Sequence, residues 1–141
     1  MFDLDSQVAL LRVQKFGYHK LPGGGIDAGE DIIKALNREL MEEIGCTTTI
    51  GREVGQVDEY RDQTKLFQES FCYLAEVVGE KGQPDYTADE LENGLEILWV
   101  KSIDEAISLI NSDMPLEYAG KFIQARDLKI LQAAEALISP R

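Results

Sequence analysis

Residues 24–46 read GGIDAGEDIIKALNRELMEEIGC, and this run decides how the chain folds and where its chemistry sits. Ile32, Leu36, Leu40 and Ile44 recur at every fourth position, which lays an apolar stripe along one side of an α-helix. Glu30 and Asp31 stand at its start, where the helix dipole favours negative charge, and Gly45 stands where a left-handed C-cap residue belongs. The spacing predicts a helix over 31–44. Glu39, Glu42 and Glu43 fall at i, i+3 and i+4 of that helix, within an arc of roughly 100°. Like charges set that close destabilise a helix. A divalent cation among them reverses the sign of that effect, and hard carboxylate oxygens suit Mg²⁺ or Ca²⁺. The arc abuts the apolar stripe, which puts it at the edge of the core, facing a cleft. Upstream, Pro22-Gly23-Gly24-Gly25 is a breaker cluster whose glycines permit close backbone approach ahead of a helix start.

The same run resembles the signature of the Nudix (MutT-type) hydrolases. That pattern is a glycine, five residues, a glutamate, seven residues, then R-E-U-x-E-E-x-G-U with U apolar. Gly24, Glu30, Arg38, Glu39, Leu40, Glu42, Glu43 and Gly45 match it, and Cys46 fills the last apolar position as a small hydrophobe. At ordinary residue usage such a match arises by chance in about one chain in ten million of this length. The resemblance implies an α/β fold, the Nudix α/β/α sandwich with a mixed sheet between helices, as a single domain over residues 1–141. It implies a metal-dependent pyrophosphohydrolase that cleaves the diphosphate bond of a nucleoside diphosphate linked to another moiety, a nucleoside triphosphate or related nucleotide. Mg²⁺ is the implied cofactor, with Mn²⁺ as a substitute. Nucleotide sugars, dinucleoside polyphosphates and capped RNA ends compete as substrates, because the signature is silent on the leaving group. The alternative from another class is a non-catalytic nucleotide-binding module on the same fold; such modules usually lack a signature carboxylate, and all three are present here. A calcium loop is remote, since its D-x-[DN]-x-[DN]-G spacing is missing.

By resemblance, Glu39, Glu42, Glu43 and the backbone carbonyl of Gly24 are the metal ligands, and one of Glu39 and Glu42 is the catalytic base. The family often adds a downstream glutamate; Glu96, three residues before Trp99, is placed for this, with Glu90 and Glu92 as competitors. Arg38 pairs with a neighbouring carboxylate and orients it for catalysis. Glu30 supports the loop or the metals, or acts only as a charge at the helix start. The family usually has a full strand before the position of Asp3 to Asp5, where only Met1 and Phe2 stand. The expectation is a truncated first strand or a different sheet edge, and an exposed edge that a second copy covers in a homodimer.

The rest of the chain bounds these readings. Its 141 residues suffice for one domain with one core. A net charge of −12 leaves no basic footprint for polymeric nucleic acid, while a small anionic nucleotide is compatible if a metal and a few basic groups dominate locally. Cys46 and Cys72 are the only cysteines, so no disulfide framework is expected and a reducing cytoplasm is the natural setting. His19 is the only histidine, which nearly excludes a His-based zinc site or a Ser-His-Asp triad. No apolar run reaches the length of a membrane span, and the start lacks the pattern of a secretory signal.

Outside the signature, 8–13 reads as a strand, 14–17 as a turn, and 47–57 as a β-branched strand. In 65–78, Phe67, Phe71, Tyr73, Ala75 and Val77 alternate with mostly polar residues, predicting a long strand. Residues 79–93 read as a loop and 94–100 as a strand. Ser102 to Glu105 is a capping box opening a helix to 111, and 118–138 reads as a long helix. Arg12, Lys20, Tyr60 and Arg61, with Lys65, are candidates to bind phosphate or stack a base. Phe122, Arg126 and Asp127 on the last helix are placed to close one side of a pocket, while His19 and Trp99 read as structural.

Overall fold

The computed structural model describes residues 7–138. The elements run β1 (Val8–Val13), a single 3₁₀ turn (Gln14–Phe16), β2 (Tyr18–Lys20), α1 (Ile32–Ile44), β3 (Thr47–Arg61) and β4 (Leu66–Val78). They continue with α2 (Ala88–Glu92), β5 (Leu95–Val100), α3 (Ile103–Ser112) and α4 (Tyr118–Ile138). The expected strands and helices appear in the expected order, with β2 and α2 in addition, and the last helix has the predicted bounds. The question of a truncated first strand before Asp3–Asp5 lies outside the described residues.

One sheet has the order β2-β1-β5, and β3 pairs with β4 in a long hairpin. β1 is central, antiparallel to both neighbours. Its run VALL is buried throughout, which a strand can sustain only when both faces are covered. Alternation then divides it. Ala9, Leu11 and Val13 face Leu40 and Ile44 of α1 with Ala75 and Val77 of β4. Val8 and Leu10 face Val100, Ala106 and Ile110 of α3, and Leu131 of α4. The result is an α/β sandwich with α1 on one side of the β1 sheet and α3–α4 on the other.

Three expectations need correction. The stripe on α1 is only half core: Leu40 and Ile44 are buried, whereas Ile32 and Leu36 are partly covered because the first half of the helix walls a cleft. Residues 79–93 are not all loop. Thr87 and Glu90 form a capping box with reciprocal side-chain to backbone bonds and start α2. In β4, Ala75 and Val77 point inward, but Phe67 and Phe71 are 58% and 36% exposed. The hairpin changes partners along its length. Its near half lays one face on the first core cluster. Bulges in β3 between Ile50 and Gly55 increase the twist, and the far half lays the opposite face, with Glu59 and Arg61, against α4.

Candidate active site

α1 is delimited as its sequence requires. The Asp31 side chain accepts the Lys34 N–H, and Gly45 ends the helix at φ 66°, donating its N–H to the Met41 carbonyl. Gly45 also has no room for a side chain, since an added Cβ would lie 2.7 Å from the Gln83 nitrogen. The segment after β4 is therefore laced to the last turn of α1: Gly82 N–H donates to Gly45 O at 2.9 Å and Asp85 N–H to Glu42 O at 2.6 Å.

Arg38 organises the acidic arc. Its Nε and Nη2 make a bidentate pair with Glu30 at 2.8 and 2.9 Å, and Nη2 also donates to Gly25 O at 2.9 Å. Its Nη1 reaches Glu39 at 2.9 Å and Glu42 at 3.4 Å. One guanidinium thus fixes the glycine loop to the helix and sets the direction of two of the three expected ligands. Those bonds hold the Glu30 carboxyl below the usual carboxylate range, with the Asp27 N–H adding to the effect. The same acids keep Arg38 protonated.

Glu39 lies against the backbone of Gly24, where an added Cβ would stand 2.7 Å from Oε2. Glu43 is 3% exposed and accepts the Gly23 N–H at 2.7 Å. Burial pushes its carboxyl up to about 7; the Gly23 bond and Lys20 oppose this, and Glu39 and Glu90 add to it. On the other side of the same peptide segment, fully buried Asp127 of α4 accepts the Leu21 N–H at 2.8 Å and is bonded by Arg126 Nε at 2.9 Å. Burial raises its pKa too, and Arg126 and Lys20 oppose the rise.

A cleft of about 710 Å³ opens beside this segment, lined among others by Lys20, Gly24, Arg61, Arg126 and Asp127. Arg61 and Arg126 share Glu59, at 3.3 and 3.7 Å, and the Arg61 guanidinium lies 5.7 Å from the Phe122 ring centre. Three basic residues, Lys20, Arg61 and Arg126, thus stand on the cleft wall, both arginines already paired with acids.

The expected site residues divide accordingly. Arg38, Glu39, Glu42 and Glu43 gather around the glycine loop, Lys20 and Arg61 line the cleft, and Gly24 belongs to both. Arg12 and Glu96 pair with each other at 3.3 Å across β1 and β5, on the face that carries Leu10 and Leu98, and do not line the cleft. Tyr60 points to the exposed face of the hairpin opposite Phe67. Among the downstream acids, Glu90 bears on Glu43, and Glu92 pairs with Lys15 at 3.9 Å. His19 is structural, tying β2 to Asp113 through its N–H at 2.6 Å and its ring nitrogen at 3.0 Å. Sequence reasoning missed Glu59 and Tyr86. Alternation along β3 puts Glu59 on the face of Arg61; no pattern marks Tyr86.

The donor set fits a hard divalent cation: three carboxylates on one helix face, one carboxylate pressed against an unobstructed glycine backbone, and one buried with a raised pKa. Among the described residues no three acid, His or Cys groups converge on one point. Arg38 draws Glu39 and Glu42 one way and the Gly23 N–H draws Glu43 another, so ligation requires these side chains to rearrange.

The profile of the NUDIX domain matches residues 1–113. The chain belongs to the Nudix family. Two curated relatives resemble parts of it. A U8 snoRNA-decapping enzyme from Homalodisca vitripennis is 52% identical over 44 residues, 30% of this chain and 24% of that protein. An 8-oxo-dGTP diphosphatase from Haemophilus influenzae is 38% identical over 61 residues, 43% of this chain and 44% of that protein. The matches therefore span less than half of these relatives' own lengths. Among solved structures, a NUDIX hydrolase from Nitrosomonas europaea superposes with a TM-score of 0.67 at 21% identity, covering 95% of this chain and 83% of that one. That likeness identifies the Nudix α/β sandwich as the fold.

Proposed function

We propose that this chain is a divalent-metal-dependent hydrolase of phosphoanhydride bonds in a small nucleotide-type substrate. The observation that carries the reading is Glu39 held against Gly24 and Glu43 bonded to Gly23, with Glu42 joined to Glu39 through Arg38, beside a cleft that Gly23 and Gly24 line. The names of the two relatives, a diphosphatase of a nucleoside triphosphate and a decapping enzyme, support the same reaction class. Glu39, Glu42, Glu43 and the Gly24 carbonyl would hold the metal, Mg²⁺ or Mn²⁺. Once bound, it supplies Lewis acidity and a water of lowered pKa.

The chain's own groups do the remainder. Glu30 holds Arg38, and Arg38 sets the directions of Glu39 and Glu42, one of which takes the proton from the attacking water. Burial raises the Glu43 pKa, and positive charge beside it would favour the ionised form, which couples its ionisation to cation binding. Lys20, Arg61 and Arg126 attract the phosphates into the cleft. Glu96 joins the ligands in this proposal only through a movement that frees it from Arg12. Arg12 and Tyr60 act, if at all, at the outer end of a bound substrate.

The acidic remainder of the surface opposes a polymeric nucleic acid partner and supports a small substrate. No helix of the described residues is long and apolar enough to cross a membrane; the proposed setting is the cytoplasm. The exposed Tyr60–Phe67 pair supports a homodimer, which analytical ultracentrifugation would reveal. The function is tested by phosphate release from nucleoside triphosphates, nucleotide sugars and dinucleoside polyphosphates with Mg²⁺ or Mn²⁺. Metal-dependent turnover of one class is expected. Tight binding of a nucleotide without turnover across the panel would instead identify a binding module.

A further inference from the structure

Tyr86 stands between two anchored elements. Before it, the Asp85 N–H is bonded to Glu42 O, and Gly82 to Gly45 O, so the segment cannot leave the last turn of α1. After it, Thr87 caps α2 and fixes Glu90. The ring packs against the first core cluster beside α1. Its hydroxyl oxygen is buried and has no hydrogen-bond partner among the described residues. Buried hydroxyls are nearly always bonded, because an unmade bond leaves the desolvation cost uncompensated. The charges that act on this hydroxyl are those of Glu43, Glu90 and Glu96, acceptors in the neighbourhood, none of which it reaches.

A hydroxyl buried beside α1 without a partner, held there by anchors on both sides and bonded to none of the acids that act on it, is placed for something that comes between. We propose that Tyr86 is a positioning residue of the metal site, its hydroxyl bonding a water of the shell around a divalent cation held by Glu43, and so fixing that shell on the side of Glu90. This rests on the metal reading given above. Neither the family signature nor the spacing of the acids marks the position; the orphaned oxygen does. Its consequence is an opposition between two quantities. In the metal-free protein the hydroxyl costs stability, because nothing offsets its burial. In the loaded protein it contributes to affinity.

The test is Tyr86→Phe, which removes one atom and keeps the ring packing. Mn²⁺ binding is measured by titration calorimetry, and thermal melting is followed in chelator. We expect Mn²⁺ affinity to fall by about 10-fold, within the range for groups that orient metal ligands, while the melting temperature in chelator stays level or rises. Affinity equal to wild type overturns the proposal, and so does a marked fall in melting temperature in chelator, which would mean the hydroxyl is bonded within the metal-free fold. Wild type and Glu43→Gln serve as controls. If wild type binds no Mn²⁺, the metal reading itself fails; if wild type binds and only Glu43→Gln loses binding, the role of Tyr86 alone is wrong.

Discussion

Two buried carboxylates grip the same short peptide from opposite layers, and their surroundings differ. Asp127 on α4 holds the Leu21 N–H and carries its own counter-ion, Arg126, at 2.9 Å. Glu43 on α1 holds the Gly23 N–H, but the nearby charges that raise its pKa are other acids, Glu39 and Glu90, with Lys20 opposing them. Both side chains are hidden from water. The first is a completed ion pair whose task is to seat β2 against the last helix. The second is an acid set in the interior with no base bonded to it, and under the proposed function a cation would supply what is missing. Burial alone therefore does not distinguish the two; the provision of a counter-charge does.

The comparison is broken most severely at Glu43. Glu43→Gln keeps the shape and removes a proposed metal ligand, so turnover should fall by orders of magnitude in steady-state assays. The same variant should gain stability without metal. The Glu43 carboxyl is raised from 4.5 to about 7 in the fold, so the protonated form is the stabilised one. Its contribution is complete below the unfolded value and is lost as pH rises through about 7, a difference on the order of 3 kcal/mol. Urea unfolding of wild type in chelator should show stability falling over that window, and Glu43→Gln should flatten the fall. Asp127 leans the same way and will keep some slope in both.

Asp127→Ala should do the reverse. Removing the acid leaves buried Arg126 with only the longer Glu59 contact at 3.7 Å and the Leu21 N–H without its acceptor, and should cost up to roughly 3–5 kcal/mol in unfolding experiments. Metal affinity of the folded fraction should be unaffected. Loss of metal binding without loss of stability would erase the distinction between the two carboxylates. The smallest effect is expected at Arg38→Lys, which keeps the charge but not the fork that reaches Glu30, Gly25 and Glu39 together. Turnover should drop by about 10- to 100-fold with the melting temperature little changed. Equal turnover would mean that Arg38 merely neutralises charge.

How far the molecule can be read from its letters follows the reach of each interaction. α1, its caps and its acidic arc are local, and spacing along one helix expresses them fully. The predicted bounds of α4 come from the same periodicity. β1 declares burial on both faces by its unbroken apolar run. The hairpin does not: which face of Phe67 or Phe71 is covered depends on where α4 lies, and no residue within β4 encodes that. α2 was visible in principle, since Thr87 to Glu90 carries the same capping pattern as Ser102 to Glu105. The cleft wall needed the fold, because Arg61 and Arg126 meet at Glu59 only after the hairpin crosses the last helix. Tyr86 needed the side-chain packing itself.

Position 24 carries a last consequence. Unlike Gly45, which has a left-handed backbone and faces the main chain of Gln83, Gly24 faces only the movable end of the Glu39 side chain. A single methyl there would take the space of an oxygen. An alanine at this position would therefore displace that carboxylate before it touched any backbone atom, so one added carbon serves as a gauge of where Glu39 stands.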